Sequence, residues 1–152
     1  MFSVSYKLGK RTVTRRVKLS ATDTRVSSLR VPEWMDRDLS AEDVYDLAWL
    51  ASKQEPKIRK PIREIRAIDL FCGCGGLTLG VREAARALGC SFRCVFASDI
   101  DYNALDLYTR NFHPDIADNN PIEHIINGDL GSPATASEKT FLDRVNHIDI
   151  VV

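Results

Sequence analysis

Nowhere in the 152 residues does an apolar run approach the ~18 positions that a membrane span needs, and the N-terminus has no apolar core of the kind that drives secretion. Neither a membrane protein nor an exported one is expected, which points to the cytoplasm. Cysteine is scarce. Cys72, Cys74, Cys90 and Cys94 are too few and too locally placed for a secreted disulfide scaffold, so reduced thiols are expected. Internal repeats and low-complexity tracts are absent. Net charge is also absent: 21 basic residues balance 21 acidic ones.

With 44% hydrophobic and 28% charged residues, the composition is that of an ordinary globular domain long enough to bury a core. The zero net charge conceals an asymmetry. Residues 1–66 hold 15 Lys/Arg and 9 Asp/Glu, and residues 67–152 hold 6 and 12, so the two parts carry +6 and −6. A basic N-terminal segment suits phosphate neutralisation on a nucleic acid; equally, two oppositely charged solvated surfaces attract each other or a partner.

The chain opens with two β-rich stretches, residues 2–8 and 12–19, separated by Gly9, Lys10 and Arg11, which predicts a hairpin. Regularity breaks at Arg30-Val31-Pro32. Ser40, with Asp43 three positions on, predicts the cap of a helix running to about Lys53, with Val44, Leu47, Ala48 and Leu50 on its apolar face and Trp34 and Trp49 packed there. Pro56 and Pro61 flank the basic run 57–60, a composition shift that suits a linker or a domain boundary. Residues 1–60 are therefore expected to form a small basic extension of hairpin and helix, and residues 61–152 a second domain.

From residue 65 the pattern alternates. Strands are predicted at 65–71, 94–98, 124–126 and 148–152, and helices at 77–88, 102–112 and 135–145. Such alternation implies parallel strands with right-handed crossovers, an α/β doubly wound sheet that binds ligands at the carboxyl ends of its strands.

Asp69-Leu70-Phe71-Cys72-Gly73-Cys74-Gly75-Gly76-Leu77 stands where the first of these strands turns into the first helix. Glycines there allow a tight turn and close approach to a ligand, and the helix start offers free N–H donors. A plain strand-to-helix turn reads similarly when taken alone. Asp99, 23 residues beyond Gly76, fits the acid that accepts hydrogen bonds from ribose hydroxyls, with helix capping as its alternative; Asp101 is the better cap. Asp129, in Asn127-Gly128-Asp129-Leu130, falls after the expected third strand at the same sheet edge, although such a residue taken alone is more often a turn residue.

Residues 69–77 resemble the first signature of the DNA cytosine-5 methyltransferases. Ser98-Asp99-Ile100-Asp101, followed by Ala104 and Tyr108-Thr109-Arg110-Asn111-Phe112, resembles their second. Gly128-Asp129-Leu130 is similar to the third, and Asp149-Ile150-Val151-Val152 to the strand entering the fourth. The resemblance implies a Rossmann-like S-adenosylmethionine-dependent methyltransferase fold, here with an incomplete parallel sheet. It also implies cofactor-binding roles. Phe71 and Ile100 would lie against the adenine, and the backbone of Gly73, Gly75, Gly76 and Leu77 would hold the methionine end. Asp99 would take the ribose hydroxyls, and Asp129 with Leu130 the adenine amino edge. Ordinary core packing is the alternative for Phe71, Ile100 and Leu130. The first 60 residues resemble nothing in the family.

In that family a Pro-Cys thiolate attacks carbon 6 of a flipped-out cytosine, and a Glu-Asn-Val carboxyl assists at the ring nitrogen. Neither segment occurs in residues 1–152, so the chain is expected to contribute no catalytic residue and to be inactive alone. Its C-x-C and C-x-x-x-C spacings make a zinc site conceivable, but small buried thiols are the simpler reading. The family's sheet has seven strands with the fourth near the middle, so a chain stopping at Val152 exposes a strand edge. A second polypeptide supplying the catalytic cysteine and target-recognition region, with DNA as substrate of the whole, is the expectation; a cleaved or shortened piece of a longer protein is the alternative. The rivals are an NAD-dependent oxidoreductase, which wants Gly or Ala where Thr78 stands, a noncatalytic assembly module, and a relative acting on RNA.

Overall fold

The structure is a computed structural model that describes residues 2–36, 38–52, 58 and 60–152. It resolves into two compact units, Met1–Lys60 with Ala87–Gly89, and Pro61–Arg86 with Cys90–Val152. The expected end of the first helix at Lys53 and the boundary residues Pro56 and Lys57 lie outside the described residues.

In the N-terminal unit, β1 (Ser3–Leu8), β2 (Thr12–Lys18) and β3 (Thr24–Arg30) form an antiparallel three-stranded sheet in chain order, followed by α1 (Ala41–Leu50). The predicted hairpin is present, in register from Ser3↔Lys18 to Leu8↔Val13. β3 was not expected. Its inward face carries Arg25 and Ser27 beside Leu29, so no apolar alternation announces it. Arg25 is neutralised by Asp23 at 3.0 Å, and the Ser27 hydroxyl bonds the Tyr45 hydroxyl at 2.8 Å.

Ser40 caps α1 by accepting from the Asp43 amide, as its position predicted. The buried face is Val44, Tyr45 and Ala48, packed on Val13, Leu29, Val31 and Met35. Leu47 and Leu50 point outward instead, because Tyr45 fills the inward position: its ring meets Tyr6 edge-on and lies under the Arg15 guanidinium. Trp49 is half-buried against this core, whereas Trp34 is 74% exposed, contrary to expectation.

In the second unit the order is β4 (Glu64–Asp69), α2 (Gly76–Ala87), β5 (Ser91–Ser98), α3 (Tyr102–Phe112), β6 (Ile116–Asp118), a 3-10 turn (Ile122–His124), α4 (Ala136–Val145) and β7 (Ile150–Val151). All the pairings are parallel, in the spatial order β6-β5-β4-β7. The chain moves one way across the sheet through β4, β5 and β6, then returns to β7 on the far side of β4. Right-handed crossovers consequently set α4 on the face opposite α2 and α3. Phe141 and Val145 of α4 pack on Ile68, Val95 and Phe96, while Leu105 and Tyr108 of α3 pack on Cys72, Cys94 and Ala97. A register shift between Ala67 and Ile68 leaves Val95 as an extra residue in β5, which puts Cys94 and Ala97, three apart, into one cluster.

The third strand differs from expectation. Residues 124–126 close a 3-10 turn in which Ile125 N donates to Ile122 O, and Ile125 packs against the core as a turn residue. The strand beside β5 is Ile116–Asp118, three residues long and too short to display a period. No helix among the described residues is long and apolar enough to cross a membrane.

Candidate functional site

The reversal of direction between β4 and β7 opens the sheet at the carboxyl end of β4, where doubly wound sheets receive their ligands. The glycine loop lies there. Gly73 and Gly75 adopt φ of +48° and +90°, the left-handed region that glycine enters without steric cost. Gly75 has no alternative: a Cβ there would come within 2.1 Å of the Phe112 ring, which rests on the loop with the Arg82 guanidinium over its face. Nothing lies within 4 Å of where a Cβ would stand on Gly73 or Gly76, so their backbone faces open space.

The loop is tied to the end of β5 at two points. Cys72 N donates to Ser98 O at 2.9 Å, and Gly73 N donates to Asp99 Oδ2 at 2.7 Å. The other Asp99 oxygen accepts from Asp101 N at 2.9 Å, and Asp101 in turn caps α3 by accepting from the Asn103 and Ala104 amides. The division of labour between the two acids is as expected: Asp101 caps and Asp99 does not. Asn119, unmarked by any sequence signal, holds the segment from the other side by donating through Nδ2 to Asp99 O and Ile100 O.

Three apolar side chains adjoining the loop and Asp99 in the chain, and Leu130 on a separate turn, are exposed. Phe71 is 73% and Ile100 74% accessible, Leu77 is equally open, and Leu130 is fully exposed. Within residues 1–152, Phe71, Ile100 and Leu130 therefore belong to no core cluster. Asp129 and Leu130 do not follow a strand; they lie on a turn eleven residues past Asp118. Among the described residues no hydrogen bond joins that turn to the glycine loop or to Asp99. Glu138 governs it instead: one carboxylate oxygen accepts from Asn127 N and Gly128 N, the other from Thr135 N, completing the α4 capping box. These backbone donors hold the Glu138 carboxyl below its ordinary range.

A buried polar chain runs beneath the loop. Asp69, 2% exposed, accepts from the Thr78 hydroxyl at 2.6 Å; Thr78 meets Tyr108 OH at 2.8 Å, and Tyr108 OH meets Cys94 Sγ at 3.1 Å. Each hydroxyl has one proton, so with Thr78 donating to Asp69, Tyr108 donates to Thr78. Burial raises the pKa of Asp69, Cys94 and Tyr108 and pushes the Cys72 thiol up to about 12. Cys72 and Cys94 are therefore thiols at neutral pH, packed as small apolar groups and unsuited to nucleophilic attack. Cys90 is buried as well, and only Cys74 is exposed. At the third fingerprint position, Thr78 fixes the loop to β4 by hydrogen bonding, where a dinucleotide site would use a bare glycine contact.

Comparison with known proteins identifies the sequence to which this part of the chain is similar. Residues 65–131 match the family model for C-5 cytosine-specific DNA methylases. The Type II methyltransferase M1.BsuMI of Bacillus subtilis is 44% identical over 81% of the chain. M.HgiCI of Herpetosiphon aurantiacus is 45% identical over 32% of it, and M.NlaIV of Neisseria lactamica 35% identical over 45%. The chain spans 30% of the length of the first relative, 12% of the second and 16% of the third. No solved structure matches. The parallel sheet with its glycine-rich first turn is a Rossmann-like methyltransferase sheet, and by sequence and architecture together the chain belongs to the C-5 cytosine-specific DNA methylase family.

Proposed function

We propose that residues 61–152 form the S-adenosylmethionine-binding portion of a DNA (cytosine-5) methyltransferase. The observation that carries this reading is the 2.7 Å hydrogen bond from Gly73 N to Asp99 Oδ2, which locks the glycine loop and the acid into one surface with Phe71 and Ile100 exposed beside it. The residues fit the cofactor chemically. A carboxylate offers about four acceptor positions. Backbone amides take two on Asp99, leaving capacity for a pair of ribose hydroxyls. Open backbone at Gly73 and Gly76 admits the methionine end, and the flat ring of Phe71 with the apolar side chain of Ile100 suits an adenine. When bound, the cofactor supplies the methyl group; this chain's residues bind and orient it.

In this reading Asp129 and Leu130, on the turn held by Glu138, close over the adenine edge. The nucleophilic cysteine and the DNA-recognition region, in this reading, lie outside residues 1–152, which bind and orient the cofactor. β7 is an edge strand whose Val151 is exposed, which suits continuation of the sheet by further strands. The complete enzyme methylates carbon 5 of cytosine in DNA, in the cytoplasm, as part of a restriction-modification system.

Calorimetric titration of the chain with S-adenosylhomocysteine, with NAD as control, tests the reading. Saturable binding of the first ligand alone, weakened by Asp99→Ala, is expected. A folded chain that binds NAD, or neither ligand, contradicts it.

A further inference from the structure

The N-terminal sheet has one covered face and one open one. Strand register assigns Val13, Arg15, Val17, Tyr6, Leu8 and Leu29 to the side packed by α1. On the other side the rows across the sheet read Ser3–Lys18–Thr24, Ser5–Arg16–Val26, Lys7–Thr14–Ser28 and Thr12–Arg30. Every residue of that face except Val26 is basic or carries a hydroxyl, and none is acidic. All but the half-buried Thr14 are exposed. None of Lys7, Arg16, Lys18 and Arg30 is ion-paired among the described residues.

The described acids of this unit are elsewhere. Asp23 sits at the β2–β3 turn and neutralises Arg25, while Glu33, Asp36, Asp38, Glu42, Asp43 and Asp46 belong to the segment that leads into and forms α1. The unit is thus polarised, with its positive side on the bare sheet. Edge protection against strand pairing explains a lysine on an outer strand such as β1. It does not explain Arg16 and Lys18, which stand on the central strand. Alternate residues on a strand are about 6.8 Å apart, so Lys18, Arg16 and Lys7 form a positive track along a flat surface. Arg16 and Lys18, with Ser3, Ser5 and Thr24, line a shallow concavity of about 490 Å³. At the opposite end Lys10, Arg11 and Arg30 border another of about 330 Å³, shared with Glu33.

We infer that this open face is a duplex-DNA backbone contact, in which Lys7, Arg16, Lys18 and Arg30 neutralise phosphates and the serine and threonine hydroxyls donate to phosphate oxygens. Contacts of this type position a protein on DNA without reading sequence. The choice of DNA among polyanions rests on the methyltransferase reading above. The similarity to M1.BsuMI supports a shared role for the unit, since 81% of the chain is more than residues 61–152 supply and the match therefore enters the N-terminal unit.

The test is fluorescence anisotropy of a labelled 20-base-pair duplex with the whole chain, from 50 to 200 mM salt. Four phosphate contacts give a log–log salt slope of about −3.6, a weakening of about a hundredfold across that range. The triple variant Lys7→Ser, Arg16→Thr, Lys18→Thr keeps strand-compatible residues and reduces the slope to about −0.9, leaving about a three- to fourfold weakening. Arg16→Lys retains binding, and Lys139→Ser, on the exposed side of α4, leaves the slope unchanged. Unaltered S-adenosylhomocysteine binding by the triple variant separates this contact from the cofactor site. The inference is overturned if the wild-type chain fails to bind duplex DNA, or if a folded triple variant binds with the wild-type slope. Preference for single-stranded RNA or phosphatidylserine vesicles over the duplex at equal salt also overturns it.

Discussion

Gly73 and Asp99, 26 residues apart, meet through a backbone N–H and a carboxylate oxygen at 2.7 Å, so the shape of the glycine loop and the orientation of the acid are set by one another. Removing the carboxylate therefore affects both the ligand partner and the loop. Asp99→Ala is expected to weaken S-adenosylhomocysteine about 10- to 100-fold, since hydrogen bonds to a charged group contribute about 1.5–3 kcal/mol each. Asp99→Asn, which retains an acceptor for Gly73 N, should lose less. Calorimetry on both variants checks the order.

Gly73 and Gly75 should respond differently to alanine. At Gly73 the cost is that of a left-handed backbone, about 1–2 kcal/mol, with open space for the methyl group. At Gly75 the methyl group also meets the Phe112 ring at 2.1 Å, so an overpacking cost of about 1–3 kcal/mol is added. Phe112→Leu should recover part of the second cost and none of the first. Urea unfolding of the single and double variants measures this.

Glu138 links the turn bearing Asp129 to the start of α4. Gly128→Ala sets a methyl group 2.8 Å from the Glu138 carboxylate and should dislodge it. The folded-state pKa of Glu138 lies below its unfolded value, so its contribution is present above the ordinary carboxylate range and is lost as pH falls through the folded pKa. Urea midpoints from pH 6 down to 3 should fall more steeply for the wild type than for Glu138→Gln.

Asp69 has the opposite sign. Its pKa is raised by burial, so its contribution is present below the ordinary carboxylate range and is lost as pH rises through the folded value. Asp69→Asn should remove that dependence and be at least as stable as the wild type at pH 7. Thr78→Val leaves Asp69 Oδ2 and the Tyr108 hydroxyl without their shared partner and should cost about 2–4 kcal/mol. Thermal unfolding across pH tests both.

The parts of this site visible in the sequence are those whose cause is local. A strand running into glycines and a helix, an acid after the next strand, and Asp101 placed to cap all express themselves within a few neighbouring positions. What escaped has causes elsewhere in the chain. β3 turns Arg25 and Ser27 inward because Asp23 and Tyr45 are waiting for them, and the Asp69–Thr78–Tyr108–Cys94 chain joins residues from two strands and two helices. β6 is too short for a pattern, and the apolar pair Ile125–Ile126 imitated the strand it supplies. The exposure of Phe71, Ile100 and Leu130 could not be read from apolar residue types, which ordinarily signal burial.

Amide chemical-shift mapping of the isotope-labelled chain during titration with S-adenosylhomocysteine tests the central claim most directly. Saturable shifts concentrated at Gly73, Gly75, Gly76, Leu77, Asp99 and Ile100, with smaller ones at Asp129 and Leu130 and none in β1–β3, are the predicted result. Shifts centred anywhere else, or a folded chain whose spectrum does not change, would contradict the account.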